Sequence, residues 1–270
     1  MKLKGRTAVI TGAASGIGRG TALALARRGC NLALADLNED GLAETTAAAE
    51  GHGVKVSRHR LDVASREAVA AFPDKVVAEH GGADLLFNNA GVAAGGTFEQ
   101  VAEEDFDWLF EINFFGVVRM TRAFLPLLRA REEARIVNIS SIFGIIAPPG
   151  QTAYSASKFA VRGFSESLRR ELEMEGAKIG VTVVHPGGVA TSIARSARRP
   201  RGVNDVDHDE QTARFEKFLR MPPEKAGEII VSGVERGRPR VVVGNDAKFM
   251  ALIERVAPVS YWKLLGRSLK

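Results

Sequence analysis

A short apolar run, a glycine-rich turn and an apolar-periodic helix follow one another near the start of the chain. The apolar run is TAVI at residues 7–10, the turn is TGAASGIG at 11–18, and the helical pattern continues to about residue 28. Glycines let the backbone approach a pyrophosphate, and a helix N-terminus offers free N–H groups and a positive dipole end. The spacing G-x-x-x-G-x-G departs from the generic G-x-G-x-x-G form, and a lone turn of this kind is also typical of a tight strand-to-helix connection.

Strand-like segments alternate with helical segments along most of the chain. The predicted strands are residues 7–10, 31–35, 54–60, 84–87, 135–139, 181–184 and 241–243. The predicted helices after the first are residues 38–50, 65–80, 103–112, 113–131, 151–175, 223–236 and 246–256. This alternation predicts right-handed βαβ units and a parallel sheet that is covered on both faces. The predicted fold class is α/β, a single doubly wound, Rossmann-like sheet of seven parallel strands that spans residues 1–270 as one domain.

Polar, glycine or proline residues stand at the ends of five predicted strands. They are Gly12, Asp36, Asn88, Ser141 and Pro186. Ligands of open α/β sheets bind outside the carboxyl ends of the strands. Five such features on one edge of the sheet therefore predict a ligand site there.

Asp36 ends the second predicted strand and bears on the choice of dinucleotide. A carboxylate in that position can accept hydrogen bonds from the adenosine ribose hydroxyls and would repel a 2′-phosphate. Neither Leu37 nor Ser15 offers a cation for such a phosphate. The cofactor is therefore predicted to be NAD, with NADP disfavoured. Asp36 is equally placed to be the N-cap of the helix at 38–50.

Tyr154, Lys158 and Ser141 are candidates for proton-transfer chemistry. Tyr154 and Lys158 lie four residues apart on a predicted helix and so share a face. An ammonium beside a phenol favours the phenolate, so a tyrosine pKa of ~10 is expected to fall and suit the group to acid/base catalysis. The Ser141 hydroxyl can hydrogen-bond the oxygen of an alcohol or ketone. Taken alone, such a Tyr–Lys pair is more typical of a solvated helix edge.

Together these motifs resemble the short-chain dehydrogenase/reductase family in its compact form. The matching features, in order and spacing, are TGAASGIG at 11–18, NNAG at 88–91, Asn113, Ser141, YSASK at 154–158 and PGGVAT at 186–191. The match is detailed over residues 5–190 and general to about 245. It implies a nicotinamide-dependent oxidoreductase in which the cofactor supplies the hydride chemistry and the protein supplies orientation and proton transfer.

The resemblance implies a catalytic role for four residues. Tyr154 would be the general acid/base, and Lys158 would lower its pKa and bind the nicotinamide ribose. Ser141 would orient and polarise the substrate oxygen. Asn113 would hold a local helix distortion and a water that connects Lys158 to solvent, although it is also placed to be a simple helix cap.

The resemblance also implies a set of cofactor contacts that runs along the strand ends. They are Gly12, Ser15, Gly16, Ile17 and Gly18 at the pyrophosphate, Asp36 at the adenosine ribose, Asp62 and Val63 at the adenine, Asn89, Ala90, Gly91, Tyr154 and Lys158 around the cofactor ribose, and Pro186, Gly187, Val189 and Thr191 near the nicotinamide. Val189 and Thr191 would hold the carboxamide. Thr191 is also placed to start a helix.

His185 departs from the family pattern, which more often has a small or amide residue before the proline. At the nicotinamide edge it is a candidate for a pH-sensitive neighbour, but a buried neutral imidazole is favoured. The other histidines, at positions 52, 59, 80 and 208, are scattered among charged segments. The sequence therefore predicts no metal site.

Residues 189–222 are predicted to form a mobile substrate lid. The segment contains Arg195, Arg198, Arg199 and Arg201, then the acidic run DVDHDE, then a helical run to residue 219. The arginines are candidates for binding an anionic substrate group, but a solvated loop is favoured. The expected substrate walls are apolar, which favours a hydrophobic alcohol or ketone over a sugar. They are Val92, Ala93, Ala94, Phe143, Ile145 and Ile193.

The tail at 258–270 is amphipathic, with Tyr261, Trp262, Leu264 and Leu265 beside Lys263, Arg267 and Lys270. It is a candidate to cover a substrate pocket, pack on a partner subunit or touch a membrane surface. Its shortness favours packing within the chain or on a partner subunit. Because the family often assembles through the helices at 103–131 and 151–175, a homodimer or homotetramer is expected.

The composition of the chain limits its cellular compartment and the kinds of partner that it is expected to bind. The chain has 45% hydrophobic and 26% charged residues, a net charge of +5 and one cysteine, Cys30. No intrachain disulfide is available, no secretory signal is visible, and no apolar run is long enough to span a membrane, so a cytoplasmic protein is expected. The modest positive charge has no nucleic-acid motif behind it.

The function predicted from the sequence is hydride transfer between NAD(H) and a hydrophobic secondary alcohol or its ketone. One alternative is a non-catalytic dinucleotide-binding sensor or interaction module on the same fold. Another is an epimerase or dehydratase that retains its cofactor, which the compact layout and the glycine spacing disfavour.

Overall fold

The sheet has seven parallel strands in the order β3-β2-β1-β4-β5-β6-β7. The computed structural model describes residues 1–265, apart from the side chains at 205, 206, 208, 211, 214 and 265. The strands are β1 Thr7–Thr11, β2 Asn31–Asp36, β3 Val56–Arg60, β4 Leu85–Asn88, β5 Ala134–Ile139, β6 Ile179–Pro186 and β7 Arg240–Val243. The central strands are buried on both faces, which explains their continuous apolar sequences. The predicted Rossmann-like α/β fold is confirmed.

Helices cover both faces of the sheet. They are α1 Gly16–Ala26, α2 Glu39–Glu50, α3 Arg66–His80, α4 Glu103–Phe110, α5 Gly116–Arg129, α6 Thr152–Met174, α7 Asp205–Glu216, α8 Pro223–Glu235, α9 Asn245–Val256 and α10 Tyr261–Leu265. One core layer includes Leu25 of α1 and Ile230 of α8, and the other includes Phe72 of α3 and Phe124 of α5. Because the strand order reverses between β1 and β4, their carboxyl ends flank the crevice where such sheets bind ligands.

The chain from α4 to α5 is continuous, and the predicted break at Asn113 is a local distortion. A π-helical turn, Glu111–Phe115, joins the two α-helices, and Asn113 is buried within it. A π-helical turn contains one residue more than an α-helical turn and so changes the directions in which the neighbouring side chains point. The reading of Asn113 as a helix cap is therefore wrong.

The segment after β6 differs from its prediction in two places. The acidic run lies within α7 instead of preceding the helix, and Asn204 caps that helix by accepting a hydrogen bond from Asp207 N–H at 2.9 Å. Thr191 starts no helix, because a series of turns follows it and α7 begins only at residue 205. Of the predicted tail, Arg267 and Lys270 lie outside the described residues. No helix of residues 1–265 combines the length and the apolar character that crossing a bilayer requires.

Candidate active site

The turn between β1 and α1 brings the backbone into contacts that leave no room for side chains. Gly12 and Gly16 have φ angles of 66° and 52°, which favour glycine. A Cβ on Gly12 would lie 2.8 Å from Ala90 Cα, and one on Gly18 would lie 2.0 Å from Gly12 O. The turn is therefore a tight backbone cradle whose shape depends on glycine at these positions.

Thr11 and Asn89 tie this cradle to the loop after β4. Thr11 Oγ1 accepts hydrogen bonds from the N–H groups of Asn89 and Ala90 at 3.0 and 3.1 Å. The Asn89 amide donates to the carbonyls of Thr11 and Gly12 at 2.9 and 3.0 Å. The Asn89 side chain thus braces the turn from across the crevice. Thr11 is the first residue of the TGAASGIG turn but has no assigned role in the sequence-based prediction, although a polar residue at the end of a buried strand could have pointed to it.

The N-terminus of α1 faces the site with its first amides uncapped by a side chain. Ser15 is the N-cap with extended backbone, and within the described chain its side chain makes no capping hydrogen bond. The first turn of the helix contains no acidic residue. A Cβ on Gly16 would lie 2.9 Å from Thr191 Cγ2, so the strand-end loop of β6 closes over this helix end. Unpaired amides at a helix N-terminus form an anion site.

Asp36 sits beside the turn but does not cap α2. Its Oδ2 accepts from Ala14 N–H at 2.9 Å and its Oδ1 accepts from Asn38 N–H at 3.0 Å. The cap of α2 is Asn38, which accepts from Gly41 N–H at 3.0 Å, so the alternative role of Asp36 as that N-cap is wrong. Each carboxylate oxygen keeps a further lone pair for a ligand hydroxyl.

Asp62 and Val63 lie at the end of the neighbouring edge strand. Asp62 Oδ1 accepts from Ala64 N–H at 2.8 Å and so shapes the loop after β3. Val63 is buried against Gly116, where a Cβ would lie 2.9 Å from Val63 Cγ2. Val63 also lines a small cavity together with Thr11 and Ala90.

The loop after β6 is braced by α9. Gly187 N–H donates to Val243 O at 2.9 Å, and Gly188 N–H donates to Asp246 Oδ2 at 2.7 Å. Val189 is buried and pairs with Met221 in an isolated bridge. Asp246 was not predicted as part of the site, because its contact with Gly188 spans 58 residues of sequence.

Tyr154, Lys158 and Ser141 come together where β5 meets α6. Tyr154 lies in the first turn of α6, and Lys158 Nζ is 5.6 Å from the centre of its ring. Lys158 is buried and donates to Ile139 O at 3.2 Å. Ser141 is the N-cap of a 3₁₀ turn, Ile142–Gly144, and its Oγ accepts from Phe143 N–H at 3.1 Å.

Burial controls the protonation of Tyr154 and Lys158. Burial raises the pKa of Tyr154 to about 12, and a hydrogen bond with the Ser141 side chain offsets part of the rise. Burial also lowers the pKa of Lys158 to about 8. The expected fall of the tyrosine pKa next to Lys158 is wrong for this structure, because the loss of hydration on burial raises the pKa of Tyr154. The phenol is consequently the protonated form at neutral pH.

Asn113 and Ser157 link α6 to the loop after β4. Asn113 Oδ1 accepts from Val92 N–H at 2.8 Å, and its Nδ2 donates to Val92 O at 2.9 Å and to Ser157 Oγ at 3.2 Å. Ser157 Oγ donates in turn to Tyr154 O at 2.8 Å. A Cβ on Gly91 would lie 3.1 Å from Asn113 Oδ1 and 3.4 Å from Lys158 Nζ, so the three residues are neighbours. Ser157 was missed, although it lies inside the YSASK motif.

His185 is buried directly beneath Ser141. Its Nδ1 lies 2.9 Å from Ser141 O, and because a carbonyl only accepts, this nitrogen carries the hydrogen. Burial lowers the pKa of His185 to about 4. The favoured prediction of a buried neutral imidazole is confirmed.

The arginine-rich segment is paired with carboxylates at the protein surface. Arg198 lies 3.7 Å from the Trp108 ring centre and 2.7 Å from Asp105. Arg195 pairs with Glu216 at 3.1 Å, as Arg201 does with Glu104 at the same distance. The backbone of Arg198 donates to Ala93 O at 3.0 Å, which fastens the segment over the loop after β4. These pairs favour the solvated reading over an anion-binding role.

Apolar and aromatic side chains surround the space next to Tyr154. The Phe143 ring stands edge-on to the Tyr154 ring at 6.2 Å, and Phe215 of α7 lies 6.5 Å from Phe143. Ala94 and Ile145 are buried, so the segments on both sides of the tyrosine present hydrocarbon. Among the described residues, no group of three or more His, Cys, Asp or Glu side chains is arranged to hold a metal ion.

Comparison with known proteins gives consistent matches. Residues 6–202 match the short chain dehydrogenase family. The chain is 46% identical to SadH of Mycobacterium tuberculosis over 266 residues, covering 97% of this chain and 95% of that protein. It is 37% identical over 191 residues to the 3-oxoacyl-[acyl-carrier-protein] reductase FabG of Thermotoga maritima, a match that covers 71% of this chain and 77% of that protein. A short chain dehydrogenase/reductase from Burkholderia phymatum, solved in complex with NAD, superimposes with a TM-score of 0.88 at 30% identity and 95% coverage of both chains.

Proposed function

This chain belongs to the short-chain dehydrogenase/reductase family, and from that premise we propose that it transfers a hydride between NAD(H) and a hydrophobic secondary alcohol or its ketone. The observation that carries the proposal is the meeting of Tyr154 and Ser141 at the crevice edge that also holds the glycine turn. Acid/base groups at the carboxyl ends of the strands and an anion cradle at a helix N-terminus are the two parts that such a reaction needs. The Burkholderia relative of similar structure was solved with NAD.

The residues present fit a dinucleotide. The glycines keep the turn compact, because a Cβ at Gly12 or Gly18 would clash with the protein's own backbone, and the uncapped amides of α1 suit a pyrophosphate. When bound, the nicotinamide supplies the hydride chemistry. The proposed binding residues form one continuous edge of the sheet. They are Gly12, Ser15, Gly16, Ile17, Gly18, Asp36, Asp62, Val63, Asn89, Ala90, Gly91, Tyr154, Lys158, Pro186, Gly187, Val189 and Thr191.

The proton steps are assigned to the buried polar group. Tyr154 is a neutral phenol at physiological pH, so it is ready to protonate the oxygen of a ketone as that oxygen gains charge. Ser141 donates to the same oxygen and holds the carbonyl in line with the phenol. In the opposite direction Tyr154 must first lose its proton, so alcohol oxidation should accelerate as the pH rises.

Lys158 and Asn113 support these steps from behind the tyrosine. A lysine with a pKa of about 8 exchanges protons near neutral pH. Lys158 is therefore suited to return a proton to the Tyr154 phenolate after the ketone has been protonated. Asn113 positions the loop after β4 and, through Ser157, the first turn of α6. A water between Asn113 and Lys158 would complete the path to solvent.

The proposed substrate is apolar near its reacting carbon. Phe143 and Phe215 offer ring surface, and Arg195 and Arg198 of the adjoining segment are paired with the carboxylates of Glu216 and Asp105. FabG of T. maritima is named as a reductase of a 3-oxoacyl chain, which also contains a ketone on a hydrocarbon. The proposed architecture is a single domain in which residues 189–222 act as the substrate lid.

The preference for NAD rests on Asp36. A 2′-phosphate would meet this carboxylate, whereas ribose hydroxyls can donate to it. Quenching titrations with NADH and NADPH should show tighter NADH binding, and D36S should lose roughly 10- to 100-fold of that preference, the worth of one or two charge-assisted hydrogen bonds. D40N, an exposed carboxylate in the first turn of α2, is the matched control. Equal affinity of the wild type for both dinucleotides would overturn the assignment.

The assembly is proposed to be a homodimer or homotetramer. Phe115, in the π-helical turn that precedes α5, is 42% exposed, and Phe159 of α6 is 38% exposed. Large exposed rings of this kind are enriched at subunit interfaces. Light scattering on the purified chain measures the state directly, and a monomer at micromolar concentration would contradict it.

A further inference from the structure

Helix α9 exposes a stripe of large apolar side chains. Phe249, Leu252 and Val256 are 61%, 59% and 77% exposed. Their spacing of three and four residues places them on one side of the helix. Isolated exposed apolar residues are ordinary, but three in a row on one helix indicate a contact surface.

The apolar stripe continues past the end of α9 and is flanked by cations. Val259 and Leu264 are 94% and 52% exposed. Lys248, Arg255 and Lys263 are exposed beside them. We call the eight residues together the C-terminal surface: Lys248, Phe249, Leu252, Arg255, Val256, Val259, Lys263 and Leu264.

The acidic residues of α9 lie off this stripe. Asp246 is in the first turn, where its carboxylate accepts from Gly188 N–H at 2.7 Å. Glu254 is half-buried on the side of the helix that faces the protein. The exposed side of α9 beyond its first turn is therefore apolar and basic.

The opposite side of α9 is firmly packed on the fold. Ala247 is fully buried and belongs to a cluster with Ile142, Ile145 and Ile146, the segment that follows Ser141. Tyr261 packs against the same cluster and accepts a hydrogen bond from Ala147 N–H at 2.9 Å. Helix α9 is therefore anchored to the fold by its other side, and the exposed apolar stripe is not part of the chain's own core.

We propose that the C-terminal surface docks the protein peripherally on a lipid bilayer that carries anionic headgroups. An apolar stripe flanked by Lys and Arg is the pattern by which a helix lies in a membrane interface, with its apolar side chains below the headgroups and its cations among them. A helix of twelve residues is too short to span the hydrocarbon core, so the contact is on the surface.

The charges on the C-terminal surface favour an anionic bilayer over a second copy of the chain as its partner. A twofold contact through α9 would set Lys248 and Arg255 of one copy near the same residues of the other. The carboxylate of Asp246 is already engaged within its own protomer and Glu254 faces inward, so these cations would lack a counter-charge. An anionic bilayer supplies that counter-charge over the whole surface.

The proposal is tested by co-sedimentation of the full chain with vesicles. One set is phosphatidylcholine alone and the other is phosphatidylcholine mixed with an equal amount of phosphatidylglycerol. The wild type should partition to the anionic vesicles and much less to the neutral ones, and added salt should release it. Because each cation near an anionic surface contributes roughly fivefold in affinity, K248Q/R255Q should bind about 30-fold more weakly.

Matched variants distinguish this surface from general stickiness. L252S/V256S should also lose vesicle binding, whereas M174S, which removes an 89% exposed apolar side chain at the end of α6, should not. K2Q/K4Q makes the same change in net charge at the opposite end of the sheet and should bind like the wild type. Thermal unfolding followed by circular dichroism checks that each variant is folded, as expected for exposed positions.

Three outcomes would overturn the proposal. They are the absence of wild-type binding to anionic vesicles, binding that the α9 variants leave unchanged, and a change of oligomeric state in L252S/V256S without any loss of vesicle binding. The last outcome would assign the surface to a second copy. None of them depends on the proposed oxidoreductase activity, which is measured separately without lipid.

Discussion

Replacing His185 by Gln tests whether the imidazole beneath Ser141 is held neutral by burial. The ring is inaccessible to solvent, and its Nδ1–H donates to Ser141 O at 2.9 Å. A protonated ring would place a charge in the core with no carboxylate bonded to it in the described structure, which is why the pKa of His185 falls to about 4. Gln keeps a polar amide near the Ser141 carbonyl but does not titrate.

The magnitude follows from the two pKa values. The pKa falls from 6.5 in an unfolded chain to about 4 in the fold, so the unfolded chain binds the proton first as the pH decreases. Stability from the neutral ring is therefore complete above pH 6.5 and is lost as the pH falls toward 4. The full span corresponds to about 3 kcal/mol, of which about 2 kcal/mol should be lost by about pH 5.

The assay is urea unfolding of wild type and H185Q, followed by the fluorescence of Trp108 and Trp262, at neutral pH and at about pH 5. Other groups titrate equally in both proteins, so the difference between the two pH dependences isolates His185. The wild type should lose about 2 kcal/mol more than H185Q between these conditions. Identical pH dependences would refute the burial of a neutral imidazole.

Two further perturbations test the buried amine and the glycine turn. K158M should raise the free energy of unfolding by about 3 kcal/mol at neutral pH, because a Lys158 pKa lowered to about 8 means that the buried ammonium destabilises the fold below pH 8. The gain should shrink as the pH rises from 8 to 10.5, where the unfolded lysine also loses its proton, and a pH-independent gain would contradict this. G18A should destabilise the protein by about 1–3 kcal/mol and weaken NADH binding, since its Cβ would lie 2.0 Å from Gly12 O. G163A, whose Cβ would meet nothing within 4 Å in α6, should instead stabilise the protein by about 0.5–1 kcal/mol. Thermal unfolding of both variants measures these changes, and equal effects of the two substitutions would refute the steric account.

The sheet could be predicted from the sequence because burial leaves a local signature. A parallel strand covered on both faces is apolar throughout, and its covering helix is apolar on one side only, so the alternation is visible residue by residue. Asp36 and Ser141 were placed at strand ends for the same reason. The alignment of these strand ends along one edge of the sheet follows from the right-handed βαβ units, which make the strands parallel.

The protonation of Tyr154 could not be predicted in this way. The spacing of Tyr154 and Lys158 shows that they share a helical face, but the pKa depends on how completely both groups lose water. That loss is set by the loops after β4 and β5, which the spacing does not describe. The result is a phenol that begins as the acid and an amine with a lowered pKa.

Contacts between distant segments were also beyond local patterns. Thr11 braces the loop after β4, and Asp246 braces the loop after β6, each across more than fifty residues. The role of Asn113 as the centre of a π-helical turn depends equally on Val92, which lies 21 residues earlier. Such residues carry no mark in the sequence beyond a polar side chain.

Turnover of purified Y154F with NAD and a panel of apolar secondary alcohols tests the central proposal most directly. Removing the phenol oxygen should lower kcat by roughly 10²- to 10⁴-fold, the usual worth of a general acid/base, while NADH affinity changes little because the glycine turn is untouched. If Y154F turns over alcohols at a rate near that of the wild type, proton transfer by Tyr154 is contradicted. If neither protein turns over any alcohol or ketone although both bind NADH in equal molar amounts, the chain is a dinucleotide-binding protein without this catalysis.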